Sequence, residues 1–229
     1  MKLDSRTILI TGGGSGLGLA CADAVAAAGG TPIVLDRNTV AALDYTCYEV
    51  DVRNADEVDR VISEVAAHRG IDGIITAAGI DRPGDLDEVS PAQWDEVLSV
   101  NLLGTVYAVR AALPHLKRSG GRVITVSSTL ALKGAGGATA YCASKFGVRG
   151  FSQALAAETA GSVGVTNVIP GGMKTRFFDG RTERFMPKDD SRLNDPARVA
   201  DAIIFALTQP PGVEVREILI AHEDEDSWP

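Results

Sequence analysis

The sequence predicts an α/β fold in which about seven strands build a doubly wound parallel sheet flanked by helices on both faces. Three observations carry that expectation. Short apolar runs rich in Val and Ile alternate with helical stretches along the 229 residues, the pattern of strand–helix–strand units joined by right-handed crossovers. The first run leads through Gly12-Gly13-Gly14-Ser15-Gly16-Leu17-Gly18 into an alanine-rich stretch, a strand, glycine turn and helix in that order. No internal repeat, linker or low-complexity block interrupts the alternation, and the length suits one domain over residues 1–229 with a sizeable core.

Taken in order, residues 6–11 read as the first strand. The glycine turn after it makes a phosphate cradle, since backbone N–H groups and the positive helix end converge on an anion. Gly12, Gly16 and Gly18 permit the tight turn, the close approach of a pyrophosphate, and the packing of helix on sheet. The helix over 19–28 stops at Gly29-Gly30, and residues 32–35 are the second strand. Asp36 at its end is placed to accept hydrogen bonds from an adenosine ribose and to repel a 2′-phosphate, which favours NAD. Arg37 can pair with such a phosphate, so NADP stays open, and Asp36-Arg37-Asn38 also reads as a plain polar turn.

Only a short stretch precedes the third strand, 45–50, which leaves little room for a crossover helix. Asn54 is placed to cap a helix over 55–68, on which Val58, Val61, Ile62 and Val65 keep helical spacing. Residues 71–76 form the fourth strand; it ends in Ala77-Ala78-Gly79, whose small side chains let a flat ring approach the backbone. Ser90-Pro91 opens a helix on which Trp94, Val97, Leu98, Asn101, Thr105, Val109 and Ala112 recur. Asn101 therefore falls on a mostly apolar face, as a satisfied core amide or as a polar group holding water near a site.

The fifth strand, 122–126, runs into Ser127 and Ser128, at the carboxyl end where open α/β sheets bind ligands. The loop 134–138 leads to the helix of Tyr141, and the sixth strand, 163–169, breaks at Pro170-Gly171-Gly172. Residues 173–194 carry Phe177, Phe178, Phe185, Met186 and Pro187 among mixed charges, which suits a mobile lid or a plain surface excursion. Asp195-Pro196 opens a last helix, residues 213–220 read as a strand, and 222–229 as a solvated acidic tail.

The chemistry centres on Tyr141 and Lys145, which helical spacing puts one turn apart on one face. An ammonium about 4 Å from a phenol is worth about 4 kcal/mol at an effective dielectric of about 20, roughly 3 pKa units. As an upper bound, that draws a tyrosine from its ordinary pKa of about 10 toward about 7, fit for general acid–base work; the same spacing also occurs in helices whose tyrosine is half-buried and whose lysine is solvated.

Composition excludes several alternatives. A net charge of −8 without a basic cluster argues against nucleic acid or an anionic membrane surface as partner. No apolar run reaches the ~18 residues of a membrane span and no signal-peptide core opens the chain, so a cytoplasmic location is expected. Cys21, Cys47 and Cys142 are odd in number and far apart, and the three histidines stand alone; neither a disulfide framework nor a metal site is expected.

Together, Thr11-Gly12-x-x-x-Gly16-x-Gly18, Asp51-Val52, Ala78-Gly79, Asn101, Ser128, Tyr141-x-x-x-Lys145 and Pro170-Gly171-x-x-x-Thr175 resemble the motif series of the short-chain dehydrogenase/reductase family, single-domain branch, over nearly the whole chain. The resemblance implies a Rossmann-like fold and an NAD(H)-dependent oxidoreductase that interconverts a secondary alcohol and a ketone; an NADPH-dependent carbonyl reductase and a non-catalytic dinucleotide-binding protein are the alternatives. It implies that Tyr141 is the acid or base, that Lys145 holds the nicotinamide ribose and depresses the phenol, that Ser128 orients the substrate oxygen, and that Asn101 carries a water. Gly12, Ser15, Gly16 and Leu17 are then expected at the phosphates and ribose, Asp36 at the adenosine ribose, and Asp51 and Val52 at the adenine. Thr175 is expected at the nicotinamide end with the backbone near Gly172 and Met173, and the subunits as a homodimer or homotetramer packed through the helices of Asn101 and Tyr141. Three departures stand out: Thr76-Ala77-Ala78-Gly79 replaces the family's usual Asn-Asn-Ala-Gly, the helix after Asp36 is short, and an acidic tail replaces a glycine-rich close.

Overall fold

The computed structural model describes residues 2–38 and 44–224. Its strands are β1 (Thr7–Thr11), β2 (Thr31–Asp36), β3 (Thr46–Glu49), β4 (Gly73–Thr76), β5 (Arg122–Val126), β6 (Gly164–Pro170) and β7 (Glu217–Ile220). All pair in parallel in one sheet of order β3-β2-β1-β4-β5-β6-β7. The chain builds outward from β1 to β3, then returns to lay β4 on the other side of β1. The reversal leaves a crevice at the carboxyl ends of β1 and β4, the usual ligand position in such sheets.

Alternate residues of each strand feed two cores. Leu9, Ile33, Leu35, Ile74 and Val123 pack under α2 (Ala55–Arg69), α4 (Gly104–Ser119) and α5 (Thr139–Glu158). Ile8, Ile10, Val34, Ile75 and Ile124 pack under α1 (Gly16–Ala27) and α6 (Pro196–Leu207). Each fully buried Ile or Leu contributes about 1.5–3 kcal/mol, so strand ends between two such layers are rigid supports for side chains.

The local start signals are used as the sequence suggests. The Asn54 side chain accepts the Glu57 N–H, and Asp195 accepts the Ala197 N–H ahead of Pro196. Ser90 and Gln93 form a reciprocal capping box at the start of α3 (Pro91–Leu98). No helix appears between β2 and β3 among the described residues; 39–43 lie outside them.

Three expectations change. α1 begins at Gly16 rather than residue 19, because the last glycines of the turn already adopt its first turn. The last strand is shorter than 213–220: the Glu214 carboxylate and the Val215 and Arg216 carbonyls accept from Val165 N, Thr166 Oγ1 and Asn167 N, and the ladder proper starts at Glu217. The helix of Asn101 is not uniform, since a π turn, Ser99–Leu103, joins α3 to α4. Joined in this way, Pro91–Ser119 is long and apolar enough to cross a membrane by length and composition, although half of that window is buried inside the protein, as in a core helix. In the tail, Asp224 is exposed and pairs with Arg192 at 2.9 Å, and residues 225–229 lie outside those described.

Candidate active site

The crevice at the strand ends opens into a cleft of about 1260 Å³. At one end stands the glycine turn. Gly12 has φ +69°, and a Cβ there would lie 2.7 Å from Ala78 backbone, so only glycine lets the turn after β1 lie against the turn after β4. The first-turn N–H groups of α1 have no intrahelical partner, and Ser15 does not cap them with its side chain. Uncapped donors at a positive helix end, facing a cleft, fit a pyrophosphate. The Thr76-to-Gly79 turn lacks the family's amides but is held by Thr11, whose carbonyl accepts Ala77 N at 3.2 Å and whose hydroxyl lies 3.4 Å from Ala78 N.

Asp36 stands at the rim. Its carboxylate accepts from Gly14 N and Asn38 N, both at 3.0 Å. Beyond it, Asp51 is gripped by Arg53, and this hydrogen-bonded guanidinium holds the carboxyl below its ordinary range, with a smaller contribution from Arg37.

At the other end, α5 presents Tyr141 and Lys145. The Tyr141 phenol is hydrogen-bonded to the side chain of Ser128, which follows β5. The Lys145 ammonium is buried and donates to the Val126 carbonyl at 2.9 Å, lying 5.6 Å from the centre of the Tyr141 ring. The π turn aims Asn101 at the same wall: its Oδ1 accepts Ile80 N at 2.8 Å, and its Nδ2 donates to Ile80 O at 2.9 Å and Ser144 Oγ at 3.0 Å.

Comparison with known proteins bears on this arrangement directly: residues 6–184 match the sequence pattern described as short chain dehydrogenase. The chain belongs to that family. It is 33% identical over 231 aligned residues to an uncharacterized oxidoreductase of Staphylococcus aureus strain MW2, covering 95% of this chain and 97% of the relative. A Staphylococcus epidermidis uncharacterized oxidoreductase is 29% identical, covering 96% and 98%. In fold, the chain matches the ligand-free aldohexose dehydrogenase of Thermoplasma acidophilum with a TM-score of 0.89 at 24% identity, over 95% of this chain and 93% of that one. It matches an alcohol dehydrogenase of Thermococcus sibiricus, solved with 5-hydroxy-NADP, with a TM-score of 0.85 at 23% identity, over 95% and 97%. As a short chain dehydrogenase the protein is an NAD(P)-dependent oxidoreductase.

In this short chain dehydrogenase every residue expected at a dinucleotide lines the cleft, from Gly12, Ser15, Gly16, Leu17 and Gly18 through Asp36, Arg37, Asp51, Val52, Ala78 and Gly79 to Pro170, Gly171, Gly172, Met173 and Thr175. Ser128, Tyr141 and Lys145 line it as well. Asn101 does not: it stands fully buried behind the wall with its amide spent on Ile80 and Ser144 and its carbonyl accepting from Thr105 Oγ1.

The expected lysine-acidified phenol is not what burial produces. Desolvation pushes the Tyr141 phenol above its ordinary range; the Ser128 hydrogen bond opposes this, Asp81 adds to it, and Arg181 opposes it more weakly. Desolvation also lowers Lys145 from 10.5 to about 8. Spacing along a helix reports proximity, whereas burial penalises both ions at once.

A stability test follows from the signs. Between about pH 8 and 10.5 the unfolded chain keeps the Lys145 proton that the folded chain has released, so the stability owed to this group rises with pH there, and its cost is fully present below 8. Tyr141 has the opposite sign, but only above pH ~10 where an unfolded phenol ionises. Urea unfolding from pH 7 to 10 should show wild type gaining on the order of 3 kcal/mol relative to Lys145→Met. Parallel pH profiles for the two proteins would contradict the burial of a lysine charge.

Sequence reasoning put Phe177 in a lid or surface excursion but missed the Asp81–Arg181 pair beside Tyr141. Phe177 lies 5.6 Å from the tyrosine ring, centre to centre, and Arg181 reaches back to Asp81 at 3.0 Å. Asp81-Arg82, shortly after the turn that follows β4, is the signal that was available; nothing local marks the partner of Asp81 a hundred residues on.

Proposed function

We propose that the protein is an NAD(H)-dependent oxidoreductase that interconverts a secondary alcohol and a ketone, with the Tyr141 phenol giving and taking the substrate proton. One observation carries the reading: a hydrogen-bonded Tyr141–Ser128 pair and the Lys145 ammonium share a cleft with an uncapped glycine turn. A nicotinamide dinucleotide, when bound, supplies the hydride acceptor or donor. The first turn of α1 and Ser15 hold its phosphates, Asp36 the adenosine ribose, Asp51 and Val52 the adenine, and Thr175 with Pro170 to Met173 the nicotinamide end. Ser128 orients the substrate oxygen while Tyr141 takes the carbinol proton in oxidation and returns it in reduction. Lys145 binds the nicotinamide ribose, and in its charged form it offsets the negative charge the phenol acquires. Asn101 acts as a positioning residue, clamping Ile80 and Ser144 behind the site.

The Asp36 carboxylate supports NAD, since a 2′-phosphate beside it meets a repulsion of a few kcal/mol. A second reading, NADPH, draws on Arg37, which lines the same rim close enough to act on Asp51, and on the NADP analogue carried by the Thermococcus neighbour. Fluorescence titration with each reduced nucleotide decides between them: NADH is expected to bind at least about tenfold more tightly, and tighter NADPH binding overturns the choice. The same reading places the enzyme in the cytoplasm as a homodimer or homotetramer, with the exposed Leu103 and Phe146 supporting contact through the helices of Asn101 and Tyr141.

A further inference from the structure

Beside Tyr141, two charges meet under an aromatic cover. Asp81, one residue past Ile80, keeps its carboxyl almost wholly buried, with side-chain exposure of 6%. Its Oδ1 accepts Arg82 N at 2.8 Å, and its Oδ2 lies 3.0 Å from Nη2 of Arg181 in the segment 173–194. The Arg181 guanidinium lies over the rings of Phe177 and Phe178, at 4.9 and 4.7 Å from their centres. Arg82 is paired with Glu96 at 3.0 Å, and its charge acts on Asp81 more weakly than that of Arg181. All four groups of the Asp81, Arg181, Phe177, Phe178 cluster line the cleft, and both charges act on the Tyr141 phenol, with opposite sign.

The pair is close but unfinished. Arg181 Nη2 is buried without a hydrogen-bond partner even though an Asp81 oxygen lies within ion-pair distance; the N–H bonds are not aligned on that oxygen. A buried guanidinium donor left unmade is costly, so an oxygen brought by a ligand is favoured there. A carboxylate ligand is the poorer match: it would place a second anion on a guanidinium already neutralised by Asp81, next to a phenol that must itself become negative. A hydroxyl matches both partners at once, its oxygen accepting from Arg181 and its hydrogen going to Asp81, and it leaves the balanced pair balanced.

We propose that Asp81 and Arg181 form a specificity site that binds a second hydroxyl of an uncharged substrate, so that the enzyme acts on a diol or its hydroxyketone rather than on a simple alcohol or a hydroxy acid. The inference rests on the proposed oxidoreductase reading and names its substrate class. Sites built to hydrogen-bond a substrate hydroxyl reject the analogue lacking it by large factors, because their polar groups are then left unpaired.

The test compares cyclohexane-1,2-diol and cyclohexane-1,3-diol with cyclohexanol and 2-hydroxycyclohexanecarboxylate as substrates of the full-length enzyme with NAD. One of the diols is expected to exceed cyclohexanol and the hydroxy acid in kcat/KM by about 100-fold. Asp81→Asn and Arg181→Met should cut that diol-over-cyclohexanol preference to about tenfold or less. The double variant Asp81→Asn with Arg181→Met leaves no unpaired buried charge, and keeps the test readable if the single arginine variant fails to fold. Equal turnover of cyclohexanol and both diols, preference for the hydroxy acid, or an equal loss on all substrates in the variants would overturn the assignment. Calorimetric binding of the preferred diol to the Tyr141→Phe enzyme with NAD separates this inference from its parent. Binding weakened about tenfold by Asp81→Asn sustains the hydroxyl site even where no substrate is turned over, and binding indifferent to Asp81→Asn sinks it.

Discussion

Tyr141→Phe is expected to lower kcat for alcohol oxidation by about three orders of magnitude while leaving nucleotide affinity nearly unchanged, because a positioned acid–base group contributes about 10²–10⁴ to the rate. The substitution is well isolated. The ring contact with Phe177 at 5.6 Å and the cover it gives Lys145 are kept, and only the hydroxyl that meets Ser128 is lost. A fall in kcat with KM and nucleotide binding held marks an interaction made in the transition state. Retention of near-wild-type kcat on a true substrate would remove the phenol from the mechanism, and the proposed reaction with it. Because burial favours the neutral phenol in the folded protein, the remaining groups must stabilise the charge as it forms. Arg181 acts on the phenol in that sense, and the Lys145 ammonium, lowered to about 8, lies 5.6 Å from the ring centre.

Gly18→Ala should be the most damaging change in the glycine turn, and it should act on folding before it acts on binding. A Cβ at Gly18 would lie 2.1 Å from the Gly12 carbonyl oxygen, 2.6 Å from its carbon and 2.9 Å from Gly13 Cα, all backbone. No side-chain rotation relieves that overlap, so the turn must open, yet Gly12 is already pressed against Ala78 on its other side. The expected cost is about 3 kcal/mol or more, a loss of roughly 10 °C in Tm for a domain of this size. Gly16→Ala offers the control within the same motif: its Cβ would meet only the Thr175 side chain at 3.5 Å, and the strain comes from φ +52° alone, worth about 1–2 kcal/mol. Thermal melts of the two variants without nucleotide should therefore differ clearly. Equal, small shifts would mean that Gly18 serves ligand approach and not the packing of α1 on the turn.

Residues in this chain were legible in proportion to how local their cause is. Asn54, Ser90 and Asp195 announce helix starts because a cap is a hydrogen bond across two or three residues, and each does so in the structure. The strand at 122–126 is found to the residue because its apolar run ends at a serine pair. The glycine turn was readable as a cradle, but its membership of the first turn of α1 was not, since glycine carries no side-chain pattern to mark a helix boundary. The 213–216 segment looked like strand and is not, because the Glu214 carboxylate takes the backbone partner that a strand would have used.

By itself, then, the sequence determined the element types, the side of the sheet where ligands bind, and a tyrosine and a lysine one helical turn apart; each of these depends on neighbours within a few positions. The tertiary structure alone decided four things. It set the sheet order that joins the Gly12 turn to the Ala78 turn, and the π turn that retires Asn101 behind the wall. It also brought Arg181 to Asp81 beside the phenol, and buried Lys145 and half-buried Tyr141 so that desolvation drives both toward their neutral forms. Desolvation is a sum over every element that covers a group, and pairing across the sheet is a choice among distant partners; neither quantity is written in any local stretch of chain.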